Sequence, residues 1–155
     1  MSILKKLFGD KSSKDRKEYQ PSIDASTVFD ADMMKLSDDE LRSRTDVFRK
    51  TIGDSVAALE KELAGLKTQA EDLNTLVTAK EAIFDGIDRL TKEIDEKIEE
   101  TLEVIMGEAF AVVKETARRW AKNGKLEVIA NDFDRNIAAT RKGISIEGDK
   151  AVWHN

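Results

Sequence analysis

The chain has 155 residues, of which 37% are charged and only 6% aromatic, with one proline and no cysteine. That balance fits a helix-rich chain with a large solvated surface. The missing cysteine excludes disulfide scaffolds, thiol nucleophiles and cysteine-bound zinc or iron–sulfur sites. The lone histidine, His154, stands next to the last residue, leaving no internal histidine for a metal cluster or a Ser–His–Asp triad.

The formal net charge of −5 is unevenly spread. Residues 1–20 are net +3, residues 21–110 net −11 and residues 111–155 net +3. Nucleic-acid binding by the whole surface is not expected from this balance. The basic start suits an anionic membrane surface or an acidic partner, and the acidic middle reads as a solvated helical face. The longest apolar run, Ala109 to Val113, is far too short to span a bilayer. The N-terminal apolar stretch is too short for a signal peptide, so a soluble, cytoplasmic protein is expected.

In chain order, Ile3, Leu4, Leu7 and Phe8 fall on one helical face beside Lys5 and Lys6, and Gly9 stops the segment. Two turns are unstable alone in water, so this segment must dock on something. Together with Lys11 these residues form the candidate membrane-contacting site. Asp10 to Tyr19 reads as a polar linker, and Pro21 is expected to end any helix there and to keep Gln20 extended. The first strong helix start is Leu36-Ser37-Asp38-Asp39-Glu40-Leu41: Ser37 and Glu40 can form a reciprocal capping box, closed by a Leu36–Leu41 staple.

A heptad seam follows at Ile52, Val56, Leu59, Leu63, Leu66, Ala70, Leu73 and Val77. A second series comprises Ile83, Ile87, Leu90, Ile94, Ile98, Leu102 and Ile105, with a stutter around Ile98. The two flank Thr78-Ala79-Lys80-Glu81 and read as arms of an antiparallel helical hairpin, each about 40 Å long. One continuous dimerising helix is the competing arrangement. Residues 108–122 predict a separate helix, buried in its apolar first half, with Lys114, Arg118, Arg119 and Lys122 complementing its dipole rather than binding phosphate. Asn123-Gly124 stops it, and Leu126 to Ala130 suits a short strand. Asn131 then caps a helix expected to reach Lys142 before Gly143. Gly148-Asp149 supplies a type II′ turn that pairs Glu147 with Lys150, Ile146 with Ala151 and Ile144 with Trp153. A strand running into Asn155 reads as an interrupted domain.

The expected fold is therefore mainly α: a long antiparallel helical coiled-coil hairpin, short helices and a small C-terminal β-hairpin. The expected divisions are 1–20 (basic segment and linker), 21–51 (first helical segment), 52–105 (hairpin) and 106–155. No glycine stands five residues before the only Gly-Lys step, Gly124-Lys125, so there is no phosphate loop. No acid pair can be singled out among the scattered carboxylates. On the residues alone, no catalytic, cofactor-binding or metal-binding residue is assigned.

Two stretches are distinctive: Lys35-Leu36-Ser37-Asp38-Asp39-Glu40-Leu41-Arg42-Ser43-Arg44-Thr45 with Phe48, and Glu108-Ala109-Phe110-Ala111-Val112-Val113-Lys114-Glu115 with Arg118 and Arg119. Both closely resemble the opening of SecA, the preprotein translocase ATPase, as does the short basic start from Met1 to Gly9. The long insertion between them, with Ala130-Asn131-Asp132-Phe133-Asp134 and Ile146-Glu147-Gly148-Asp149-Lys150-Ala151, resembles a longer bacterial SecA subtype. Gly107 departs from the family, which usually has proline there.

The resemblance implies that residues 106–155 begin an incomplete α/β motor domain. It implies ATP as cofactor of the full-length parent, with none held in this chain, which should be inactive alone. The implied partners are SecYEG, anionic phospholipid and secretory preproteins, with a second copy also possible and no nucleic acid. The implied location is cytoplasmic, peripheral to the inner membrane. The competing reading is a free-standing coiled-coil adaptor or holdase-like protein with a peripheral membrane contact.

Overall fold

The computed structural model describes residues 11–72 and 74–155, and of residues 11–14 the backbone only. The elements are α1 (Lys11–Thr27), α2 (Asp30–Met33), α3 (Asp38–Glu71), α4 (Val77–Lys122), β1 (Lys125–Ile129), α5 (Asp132–Ala138), β2 (Ile144–Glu147) and β3 (Lys150–His154). They divide into two compact units: the described residues up to Arg44 with Met106–Asn155, and Thr45–Ile105. The helices α3 and α4 each contribute residues to both. Among the described residues, no helix is long and apolar enough to cross a membrane.

The unit Thr45–Ile105 is the helical hairpin. Thr101 Oγ1 donates to Ser55 Oγ at 3.1 Å across the arms. Nearer the turn, a Cβ on Gly86 would lie 2.9 Å from Leu66 Cδ1, a close approach that the missing side chain permits. Val56, Leu90 and Ile94 are buried between the arms. The turn comes earlier than expected, at residues 72–76. There Asp72 Oδ1 accepts from the Asn74 amide at 2.9 Å, an Asx turn that competes with helix. Thr78–Glu81 instead belong to the start of α4, and Val77, expected in the first seam, opens the second arm exposed. Leu73 lies outside the described residues. Leu102 also leaves the seam and is exposed; buried Thr101 takes its place because the Ser55 hydroxyl pairs with it.

In the other unit, α1 runs through Asp10–Tyr19's expected linker from Lys11 onward and through Pro21. Proline removes one helical donor. Here residues 16–21 are all exposed, so water can serve the carbonyl left without its partner. Gln20 Nε2 donates to Asp24 Oδ1 at 2.8 Å across the proline. Gly107 neither starts nor breaks a helix. It lies inside α4, and a Cβ there would meet the Ala25 carbonyl oxygen of α1 at 3.1 Å. The segment 108–122 is thus the end of α4 rather than a separate helix. Its apolar first half is only partly buried: Ala111 and Val112 are inside, while Phe110 and Val113 are exposed.

The sheet has three antiparallel strands in the order β1-β3-β2. The expected register of the C-terminal hairpin holds: Glu147 pairs with Lys150, Ile146 with Ala151 and Ile144 with Trp153. Gly148 has φ +66°, and no described non-glycine residue has positive φ, as a type II′ turn requires. The strand β1 adds to the other edge, placing Leu126 opposite Trp153 and Val128 opposite Ala151. Ala151 and Val152 point to opposite faces and both are buried, so β3 is covered on each side. The helix α5 lies against β2. It ends at Ala138, short of the expected Lys142, and Thr140 and Arg141 turn back onto the Ile137 carbonyl.

Candidate functional site

The candidate membrane-contacting residues Ile3, Leu4, Lys5, Lys6, Leu7 and Phe8 lie outside the described residues, as does the side chain of Lys11, which opens α1. The two distinctive stretches, by contrast, are fully described, and residues 35–44 of the first meet the second within one unit. Each was legible as a helix segment; their meeting was not.

The capping box forms as expected. The Ser37 amide donates to Glu40 Oε2 at 2.7 Å and the Glu40 amide to Ser37 Oγ at 3.2 Å. Hydrogen bonding from the Ser37 backbone amide, and then from its side chain, holds the Glu40 carboxyl below its usual range. The box starts α3 where Arg119 of α4 can reach it. Arg119 donates to the Leu36 carbonyl at 2.7 Å, the Met33 carbonyl at 3.1 Å and Asp38 Oδ1 at 2.6 Å. Its Nε donates to Glu115 at 2.7 Å. One buried guanidinium thus serves carbonyls at the end of α2, the first turn of α3 and its own helix.

Glu115 also accepts both arms of Arg118 at 2.5 Å. Hydrogen bonding from Arg118 draws its pKa down, burial pushes it up, Arg119 adds to the lowering, and the result is about 2. Arg118 and Arg119 are thus held by carboxylates and carbonyls, a use more specific than complementing a helix dipole. Lys114 pairs with Asp30. Asp30, Lys114, Glu115 and Arg118, with Met34, line a cleft of about 80 Å³ whose charges are paired with one another.

A second lock ties the sheet to α3. Asp134, fully buried, takes Arg42 in a two-armed pair at 2.7 and 3.1 Å. Burial pushes the Asp134 carboxyl up, but Arg42, the Asn131 amide and Trp153 outweigh it and hold it down. Asn131 and Asp134 form a reciprocal capping box on α5 at 3.0 Å in each direction. Asp39 Oδ1 accepts from the Ile129 amide at 2.8 Å at the end of β1. A third tie joins Arg44 to Glu108, one residue from each distinctive stretch.

Sequence reasoning passed over Asp39, Arg42, Arg44, Glu108 and Asp134 as functional residues. The signal was a density of acids and arginines in two short stretches, but partners 64 to 92 positions apart cannot be matched by spacing. Among the described residues, no group of three or more His, Asp or Glu is placed to hold a metal ion. The arrangement is a mechanical clamp, with every named charge engaged.

The chain is 44% identical over 154 residues to the protein translocase subunit SecA of Phocaeicola vulgatus, covering 99% of this chain. It is 42% identical over 153 residues to the subunit of that name in Porphyromonas gingivalis, again over 99% of the chain. Against that of Christiangramia forsetii the identity is 38% over 154 residues. The chain spans about 14% of the length of each of these relatives. No protein-family profile matches it, and no solved structure matches it. The resemblance to SecA therefore holds over essentially the whole chain, which corresponds to a segment of such a subunit.

Proposed function

We propose that this SecA segment works as a scaffold and membrane tether for an ATP-driven translocase that moves secretory preproteins through the SecYEG channel. The observation that carries this reading is 44% identity to a SecA subunit over 99% of the chain. The clamp supports the scaffold role, since it joins α2, α3, α4 and the sheet through charges that the two distinctive stretches supply. ATP binding and hydrolysis are assigned to other sequence of the full-length subunit, because these 155 residues contain no phosphate loop. Controlled depletion of the protein from its own cells tests the reading. Accumulation of uncleaved secretory precursors is expected; normal export would overturn it.

The tether is assigned to residues 1–11. Ile3, Leu4, Leu7 and Phe8 enter the acyl boundary while Lys5, Lys6 and Lys11 meet anionic headgroups beside the channel. Each lysine near such a surface contributes about 1 kcal/mol. Interfacial burial supplies part of the 1.5–3 kcal/mol that full burial of a large apolar side chain gives. Ordering the segment costs about 1–2 kcal/mol per residue, so binding is weak, reversible and diminished by salt. Co-sedimentation with anionic vesicles at low salt is expected, and to be abolished by Leu7→Asp or by Lys5→Glu with Lys6→Glu. Equal pelleting after deletion of residues 1–9 would move the tether elsewhere.

A further inference from the structure

The turn of the hairpin presents apolar side chains where a self-contained arm needs none. Leu76, Val77 and Phe84 are 73%, 85% and 53% exposed. Val77 and Phe84 are seven residues apart on α4 and so share a helical face, with Leu76 adjoining it. They stand apart from the second apolar series on the same helix, where Ile83 and Ile87 are half-buried and Leu90 is buried. Keeping three large apolar groups in water at one turn costs free energy that covering them would recover.

The charges around this patch have one sign in excess. Glu71, Asp72, Glu81, Asp85 and Asp88 stand against Lys67, Lys80 and Arg89. Among the described residues, none of these carboxylates is in an ion pair. The ion pairs of this unit lie elsewhere, at Arg49–Asp46, Lys50–Asp54, Lys92–Glu96 and Lys97–Glu100. An apolar centre rimmed by unneutralised carboxylates repels an anionic lipid surface. It also disfavours a second copy of itself, which would bring like charge to like charge. It complements a cationic segment that carries apolar side chains.

We propose that the hairpin turn is a docking site for a cationic amphipathic segment of a partner protein, with Leu76, Val77 and Phe84 as the apolar seat and Glu81, Asp85 and Asp88 as the rim. The segment lays apolar side chains on the seat while its lysines or arginines meet the rim. Such contacts are steered by charge and weaken with salt.

The test uses the full 155-residue chain and a short synthetic leucine–lysine amphipathic peptide, with a leucine–glutamate peptide of the same pattern as control. Binding of the first and not the second is expected, falling as salt rises. Val77→Asp with Phe84→Asp separates seat from rim, because it adds negative charge while removing apolar contact. If the seat matters, affinity falls at least about tenfold, which is about 1.4 kcal/mol. Unchanged or tighter binding would show plain charge attraction and overturn the proposal. The sites are exposed, so helicity should be unchanged by circular dichroism. Glu81→Lys with Asp85→Lys provides an independent variant and should also weaken binding, whereas no change would refute the rim. Two results would reassign the patch: self-association of the wild-type chain that Phe84→Asp abolishes, or binding to neutral phosphatidylcholine vesicles that it abolishes.

Discussion

Replacing Glu115 with glutamine should weaken the clamp and make its loss depend on pH in a defined direction. The substitution keeps volume but removes the charge that Arg118 and Arg119 share. The fall of the carboxyl from 4.5 to about 2 corresponds to at most about 3 kcal/mol. The Arg118 side chain is 41% exposed, so solvent screening reduces this to about 1–2 kcal/mol. A carboxylate depressed in the folded state stabilises fully above its unfolded pKa and loses that contribution as pH falls through the folded one. The gap between wild type and Glu115→Gln should therefore be constant near pH 7, shrink below about pH 4.5 and be nearly gone at pH 2. Urea titrations at several pH values give this gap. Both tryptophans, Trp120 and Trp153, lie in the unit that holds Glu115, so their fluorescence reports its unfolding. At neutral pH the melting temperature should drop by about 2–8 °C. A gap under about 0.5 kcal/mol at pH 7, or one of unchanged size near pH 2.5, would refute the reasoning, since surface ion pairs contribute about that little.

Asp134→Ala removes the returning half of the α5 capping box and strands Arg42, so it should cost about 2–4 kcal/mol and shift the Trp153 emission at lower urea than in wild type. Gly107→Val places atoms against the Ala25 carbonyl; hydrogen exchange should accelerate over residues 15–27 while the hairpin is unaffected. Ser55→Cys with Thr101→Cys should cross-link within one chain under mild oxidation, because the two hydroxyls are 3.1 Å apart and no other cysteine competes. Only intermolecular cross-links would favour a continuous dimerising helix.

What could be read in advance was what neighbours in sequence decide. The Ser37–Glu40 box, the Asn131 cap and the Gly148-Asp149 turn each need at most a few consecutive residues, and each forms as expected. The heptads located two arms, because burial repeats along a helix whatever it packs on. The turn between them was misplaced since the apolar spacing ran on to Val77, past the Asx turn that Asp72 makes with Asn74. Pro21 misled in the opposite sense: its missing donor matters little where water reaches the backbone. The place of β1 beside β3, and the ties from Arg42 to Asp134 and from Arg119 to Leu36, are long-range choices with no local signature. The candidate membrane segment is a local pattern too, and its apolar spacing is its whole signal.

The hydroxyl pair between the arms bears on the order in which the chain folds. Bringing Arg44 to Glu108 from an open coil closes a loop of 64 residues. Once Ser55 has met Thr101, the same closure spans only about 18 residues of free chain, and the entropy of closure falls by about 1 kcal/mol. A hairpin zips through contacts between nearby residues and can form early. On this arithmetic Thr45–Ile105 folds ahead and acts as a splint, drawing together two distant stretches whose charges then lock the remainder.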